Sequence, residues 1–146
     1  MSNLVTAIGG IFIRDNRLLI VRKKNTWILP GGKPEGDESD IVCLALEFRE
    51  ELGGKIDPDS VRPYKNFGGV SPHRGKPLEV RTYFVNILGE TDSLRAQSEI
   101  LQVALVKYLD MVDYINSDLT WSMVGSLHDD HYLRSDLSLV RRDPYA

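Results

Sequence analysis

Apolar positions along the chain follow two rhythms. From Leu4 to Ile13 they are nearly continuous and rich in β-branched residues, and after Arg14-Asp15-Asn16 a second run extends from Arg17 to Arg22, so the segment predicts two buried strands joined as a hairpin. Trp27-Ile28-Leu29 predicts a third short strand, ended by Pro30-Gly31-Gly32, where a missing donor and two permissive glycines favour a tight loop. The rhythm then changes to 3.6 residues. Asp37 or Ser39 can cap a helix from about Ser39 to Leu52, with Ile41, Leu44, Ala45, Phe48 and Leu52 on one face and Gly53-Gly54 just past its end. Val61 to Val70 predicts an irregular strand, Ser71 to Pro77 a polar loop, Leu78 to Leu88 a long strand, and Ile100 to Tyr108 another. Leu119, Met123, Leu127 and Tyr132 or Leu133 fall at helical spacing, which predicts a helix from Leu119 to Leu133. Strands and helices in this mixed order predict an α/β or α+β sandwich, a mixed sheet between helices, formed as a single domain over residues 1–146.

Charge and composition narrow the classes. A formal charge of −3 argues against a protein that grips long polynucleotides by broad phosphate neutralisation, though a local basic pocket could hold one or two phosphates. The single cysteine, Cys43, cannot form an internal disulfide, and Met1-Ser2-Asn3-Leu4 lacks the basic start of a secretory signal, so a cytoplasmic location is expected. The run Ala7 to Ile13 is far shorter than the ~20 residues a membrane helix needs, and no membrane partner is expected.

Chemistry concentrates on the first helix. Asp40, Glu47, Glu50 and Glu51 converge on a face beside the apolar one, and like charges three and four residues apart cost a few tenths of a kcal/mol per pair (~0.2–0.5). Carboxylates near the C-terminal end also oppose the helix dipole. A hard divalent cation would remove both penalties; a plain solvated acidic face is the other reading of the same residues. Pro30-Gly31-Gly32-Lys33 places exposed backbone groups and a cation just before this helix, as phosphate-handling loops do, although a Gly-Gly turn also serves simple chain reversal.

The segment from Gly32 to Gly54 resembles the signature of the Nudix hydrolases, G-x5-E-x7-R-E-U-x-E-E-x-G-U, where U is bulky and apolar. Gly32, Glu38, Glu47, Phe48, Glu50, Glu51 and Gly53 stand at signature positions. Two positions depart: Leu46 replaces the arginine and Gly54 replaces an apolar residue. The resemblance implies a Nudix-type α/β/α sandwich that hydrolyses a phosphoanhydride bond in a small nucleoside-diphosphate-type substrate, with Mg2+ as cofactor and Mn2+ as a substitute. It implies that Glu50 and Glu51 bind magnesium, that Glu47 binds it or acts as general base, that the Gly31 carbonyl adds a ligand, and that Glu38 orients the set. Glu99-Ile100 resembles the glutamate-isoleucine pair found before a late strand in many members, which would bring Glu99 to the metal; a surface glutamate is the competing reading, since Gln102 and Leu105 replace its usual companions. Homodimers are common in the family.

Arg22, Lys33 and Gly32 are the candidate substrate contacts. Trp27, Tyr83, Phe84 and Trp121 are candidate stacking platforms, with core packing the favoured role for Trp27 and Phe84. His128-Asp129-Asp130-His131 could be read as a metal motif but is expected to be a polar helix surface, Arg49 a solvent-facing ion pair, and Cys43 a small buried residue. The missing motif arginine leaves a second class open: a Nudix domain weakened in catalysis that binds a nucleotide as a regulatory module. A prenyl-diphosphate isomerase is a remote third, given a buried Cys43 and no insertion for a second catalytic group.

Overall fold

The computed structural model describes residues 4–71, 75–135 and 142–145. Met1 to Asn3 and the Pro72 to Arg74 portion of the expected polar loop lie outside the described residues. In chain order the elements are β1 (Val5–Ile11), β2 (Ile13–Arg14), β3 (Arg17–Lys23), β4 (Thr26–Ile28), β5 (Gly31–Gly32), α1 (Asp40–Leu52), β6 (Lys55–Val70), β7 (Pro77–Leu88), β8 (Ile100–Lys107) and α2 (Asp118–Asp129). One sheet has the order β5-β1-β7-β6, with β1 and β7 parallel; in the other, β3 pairs with β2, β4 and β8.

The expected hairpin is only partly formed. Asp15 and Asn16 both take left-handed conformations, as a tight two-residue turn requires, and Ile13–Arg14 pairs with Arg17–Leu18. The apolar run before them, however, belongs to the other sheet. Phe12 separates β1 from β2, and β1 lies parallel to β7 from Val5 opposite Leu78 to Ile11 opposite Phe84. A near-continuous apolar run suits that inner position, where both faces are covered. The Gly31-Gly32 pair also departs from the expected loop, for it forms β5 and pairs antiparallel with Ile8 and Gly9 of β1.

Two cores result, one on each side. Leu44, Phe48 and Leu52 of α1 pack with Ile8, Phe12 and Val85, while Leu119, Met123, Val124 and Leu127 of α2 pack with Ile11, Ile20 and Phe84. Strand β3 divides between them: Leu18 and Ile20 enter the α2 core, Leu19 and Val21 the α1 core. This is the expected α+β sandwich. The α1 backbone reaches β1 closely because Gly10 has no side chain; a Cβ there would stand 2.5 Å from the Phe48 ring.

Ser39 caps α1, its Oγ accepting from Val42 N–H at 3.2 Å. The buried face is narrower than expected, since Ile41 and Ala45 are exposed while Leu44, Phe48 and Leu52 are buried, and Cys43 is buried as expected. Strand β6 begins at Lys55, earlier than the sequence pattern suggests, and its register slips between Asp57 and Arg62 and between Pro63 and Asn66, where proline cannot donate to a ladder. Helix α2 stops at Asp129: His131 turns left-handed, and the Tyr132 and Leu133 amides return to the Leu127 carbonyl at 2.9 and 3.2 Å. Both residues are nevertheless buried. Among the described residues no helix is long and apolar enough to cross a membrane.

Candidate active site

The glutamates of α1 face a cleft of about 770 Å3. Glu47, Glu50 and Glu51 line it from the helix, Gly31, Gly32, Lys33 and Glu35 from β5 and the loop after it, and Lys23, Lys24 and Glu99 from the neighbouring strand ends. The rest of the lining mixes aliphatic residues, Val5, Ala7, Leu29, Leu78, Val80, Leu119 and Met123 among them, with the polar Ser71, Lys76, Ser98 and Thr120.

β5 and α1 are fitted directly to one another. The Gly31 N–H donates to Glu51 Oε1 at 2.9 Å. A Cβ on Gly31 would fall 1.9 Å from the Ile8 carbonyl oxygen, and one on Gly32 would fall 2.7 Å from the Glu47 carboxyl carbon. Gly31 is thus required by its close approach to the β1 backbone, whereas a side chain at Gly32 would displace the Glu47 carboxyl.

Burial sets the electrostatics. Glu51 is only 8% exposed, and its carboxyl is pushed up to about 8, mainly by burial; the Gly31 amide and Lys23 oppose this, while Glu47 and Glu99 reinforce it. Glu47 is also raised, first by burial and then by the neighbouring Glu50 charge.

The expected divalent ion can be tested against that chemistry. Glu47, Glu50 and Glu51 offer hard oxygen donors beside Gly31, and two of the three hold protons more tightly than usual, the condition a cation relieves. Among the described residues no three acidic, histidine or cysteine side chains already stand close enough together to hold a metal ion. The donors fit the ion in kind and charge, with Glu51 held by the backbone amide.

Other candidates are distributed as follows. Glu38 does not line the cleft; its Oε1 accepts from Glu35 N–H at 3.0 Å and closes the loop ahead of α1. Asp40 leaves the glutamate cluster altogether, bonded to Arg81 and Tyr83 of β7. Glu99 lies at the cleft edge in an ion pair with Lys23 at 2.8 Å. It is brought there by the preceding loop, whose Arg95 and Gln97 amides donate to the Leu52 and Glu51 carbonyls at the end of α1. Lys33 and Gly32 line the cleft, but Arg22 does not: its guanidinium donates to Gln102 Oε1 at 2.7 Å and to the Lys24 carbonyl at 3.0 Å. Lys23 and Lys24, the next two residues, both line it.

No aromatic side chain among the described residues lines the cleft. Trp27 packs edge-on against Tyr114 at 5.1 Å, Phe84 is buried in the α2 core, Tyr83 bonds Asp40, and Trp121 donates to the Ile115 carbonyl at 3.2 Å. The histidine-aspartate run has structural partners: His128 stacks on Tyr108 at 3.9 Å, and Asp130 accepts from Tyr64 at 2.6 Å and pairs with Lys65 at 2.8 Å. Arg49 is exposed and, contrary to expectation, makes no ion pair among the described residues. Cys43 is buried, which pushes its thiol up to about 12 and leaves it inert. The Gly54 departure has a packing reason: a Cβ there would lie 2.8 Å from Leu94 Cδ2, so Leu94 fills the space of the missing side chain.

Lys23, Lys24, Glu35 and Thr120 were not singled out by the sequence, although all line the cleft. For Lys23 the signal was alternation: it shares the parity of Leu19 and Val21, which face α1, whereas Arg22 shares that of Leu18 and Ile20.

The chain is similar to several known proteins. A "MutT-like protein" of Streptomyces ambofaciens is 39% identical over 64 residues, 41% of this chain and 42% of that protein. The chain thus spans less than half the length of that relative. A Mycobacterium tuberculosis protein named "Putative 8-oxo-dGTP diphosphatase 2" is 27% identical over 143 residues, covering 90% of this chain and 98% of its own. In fold, a NUDIX hydrolase from Nitrosomonas europaea superimposes with a TM-score of 0.73 at 14% identity, covering 99% of this chain and all of the other. The NUDIX domain profile matches residues 4–122, and the chain belongs to this family.

Proposed function

We propose that the chain is a magnesium-dependent hydrolase of a phosphoanhydride bond in a nucleoside diphosphate linked to another moiety: a nucleoside triphosphate, an oxidised nucleotide or an ADP-ribose-like compound. The observation that carries this reading is one cleft that brings Glu47, Glu50 and Glu51 together with Lys23 and Lys33 and also presents the aliphatic side chains of Val5, Ala7, Leu78, Val80, Leu119 and Met123. A charged diphosphate fits the first and a less polar group the second.

Glu50 and Glu51, with the Gly31 carbonyl, would hold the magnesium, which when bound would neutralise phosphate charge and orient water. Lys23 and Lys33 attract the diphosphate, and Gly32 leaves room for it against Glu47. Glu47 is the proposed general base. Its burial and the Glu50 charge raise its proton affinity towards the range in which a carboxylate can accept a proton from water. Glu38 supports the loop ahead of the helix, Glu99 is proposed to join the metal site from its pair with Lys23, and residues 1–146 are taken as one domain.

Phosphate and pyrophosphate release, with and without magnesium, across nucleoside triphosphates, oxidised nucleotides, ADP-ribose, dinucleoside polyphosphates and nucleotide sugars tests the proposal. Magnesium-dependent turnover of one class establishes it. Silence across the panel with folded protein favours the second reading, a nucleotide-binding regulatory domain, for which Leu46 in place of the motif arginine is the supporting observation.

A further inference from the structure

Strand β8 has a neighbour on one side only. It pairs antiparallel with β3, from Lys107 opposite Arg17 to Ile100 opposite Lys23, while β2 and β4 share the other edge of β3. Among the described residues no strand pairs with the outer edge of β8. Alternate residues of such a ladder direct their N–H and C=O groups outwards, and an open edge is a template for another strand. Proteins blunt such edges with proline or with charged side chains along the strand. Ile100–Lys107 reads Ile-Leu-Gln-Val-Ala-Leu-Val-Lys, with no proline and its one charge at the end. Leu101 has no partner on β3, because the register slips there, and is 55% exposed; Val103, Ala104 and Leu105 are only partly buried.

The order of residues along this edge matches a second copy of itself. Counting outwards from Val103, Leu101 and Leu105 stand at equal separations, and so do Glu99 and Lys107. An antiparallel copy centred on Val103 therefore sets Val103 against Val103, Leu101 against Leu105 and Glu99 against Lys107, the last two pairs occurring twice by symmetry. Centring on Ala104 instead would set Leu101 against Lys107, and a parallel copy in register would set like charges together. Lys107 is exposed and makes no ion pair among the described residues. Glu99, although paired with Lys23, keeps 70% of its side chain exposed. Val103 and Leu105 already pack against the α1 core, so the pairing extends that core across the twofold axis.

We propose that the outer edge of β8 is a self-association surface, through which two copies of this chain pair antiparallel about Val103 and join their two β3-containing sheets into one. Each copy then brings its Lys107 to the other's Glu99, at the edge of the cleft. A single strand pair is a small interface, so the dimer is expected to dissociate with a Kd on the order of 10 µM.

Sedimentation equilibrium of the full chain from about 1 to about 100 µM spans that Kd and should show a reversible monomer–dimer equilibrium. Leu101→Lys and Lys107→Glu change exposed side chains; both should melt like the unaltered chain and raise the Kd at least about tenfold. Disulfide mapping reads the register. Cys43 is buried and inert, so introduced thiols report alone. Residues directly opposite lie ~4.5–5.5 Å apart at Cα, within disulfide reach, so Val103→Cys should form a covalent dimer with oxidised glutathione. Leu101→Cys and Leu105→Cys should each stay monomeric alone and crosslink when mixed. A chain that remains monomeric at about 100 µM, a dimer indifferent to both edge variants, or a different crosslinking pattern overturns the proposal.

Discussion

Arg81 holds Asp40 with two parallel hydrogen bonds, Nε to Oδ2 and Nη2 to Oδ1, each 2.8 Å. This ties the first residue of α1 to β7, and Tyr83 donates to the same carboxylate. The cleft glutamates are thereby mounted on a helix fastened to the sheet at its start and packed through Phe48 and Leu52 further along.

The first prediction concerns that fastening. The Arg81 guanidinium holds the Asp40 carboxyl below its ordinary value, so its stabilising effect is present above the unfolded value near 3.8 and lost as the pH falls through the lower folded one. Discounted for partial exposure, Asp40→Asn should cost about 1 kcal/mol at pH 7, or ~3 °C in Tm. Melting curves for both proteins from pH 7 to pH 2 should converge in acid. A constant gap down to pH 2 would contradict the ionic origin.

A second expectation follows from the burial of Glu51 and the exposure of Glu50. Glutamine at either position keeps the size and removes the charge, and Glu51→Gln can still accept from Gly31 N–H. Turnover should fall by at least ~10²-fold in each variant, with unchanged circular dichroism. Magnesium removal by EDTA should silence the unaltered protein reversibly. Full activity in either variant would refute the placement of the reaction.

Leu46 offers a gain-of-function test. If the absent arginine limits the orientation of the glutamates, Leu46→Arg should raise kcat roughly tenfold, the equivalent of one charge-assisted hydrogen bond at ~1.4 kcal/mol. No gain in a variant of matched stability would show that the chain has no need of it.

Adjacent cations on β3 should behave differently. Lys23→Met should raise KM about tenfold, since Lys23 lines the cleft, and Arg22→Met should leave KM within about twofold, since its guanidinium is engaged with Gln102 and the Lys24 carbonyl. The reverse pattern would restore Arg22 as the phosphate contact.

Gly54 and Leu94 form a reciprocal pair. Gly54→Leu should destabilise by ~1–3 kcal/mol through overpacking, and Leu94→Ala in the same chain should recover part of the loss. Additive losses in a double-mutant cycle would show that the two positions do not share the space.

How much of this was legible in the sequence differs from element to element. The first helix was legible because Ser39, the periodic apolar residues and Gly53 agree at every level. β1 was misassigned because a continuous apolar run carries no information about which sheet it joins, and its partner β7 lies some seventy residues on. The glutamate positions were readable from spacing, whereas the burial of Glu51 was not, because it arises from β5 meeting the helix in space. Arg22 and Lys23 differ by one residue, and strand parity is what separates the one engaged with Gln102 from the one lining the cleft. Thr120 carried no signal, since a threonine early in a helix looks like an ordinary residue until its neighbours are known.

The amide of Gly31 occupies a point where sheet edge and acidic helix meet, since it belongs to the strand paired with β1 and bonds the Glu51 carboxylate. Its proton is consequently a built-in reporter. In a nitrogen-15 NMR spectrum, the chemical shift and hydrogen-exchange rate of this one resonance should register whether Glu51 is committed to the backbone or drawn toward a bound cation, so that occupancy of the cleft can be followed without a substrate or a label at the reacting groups.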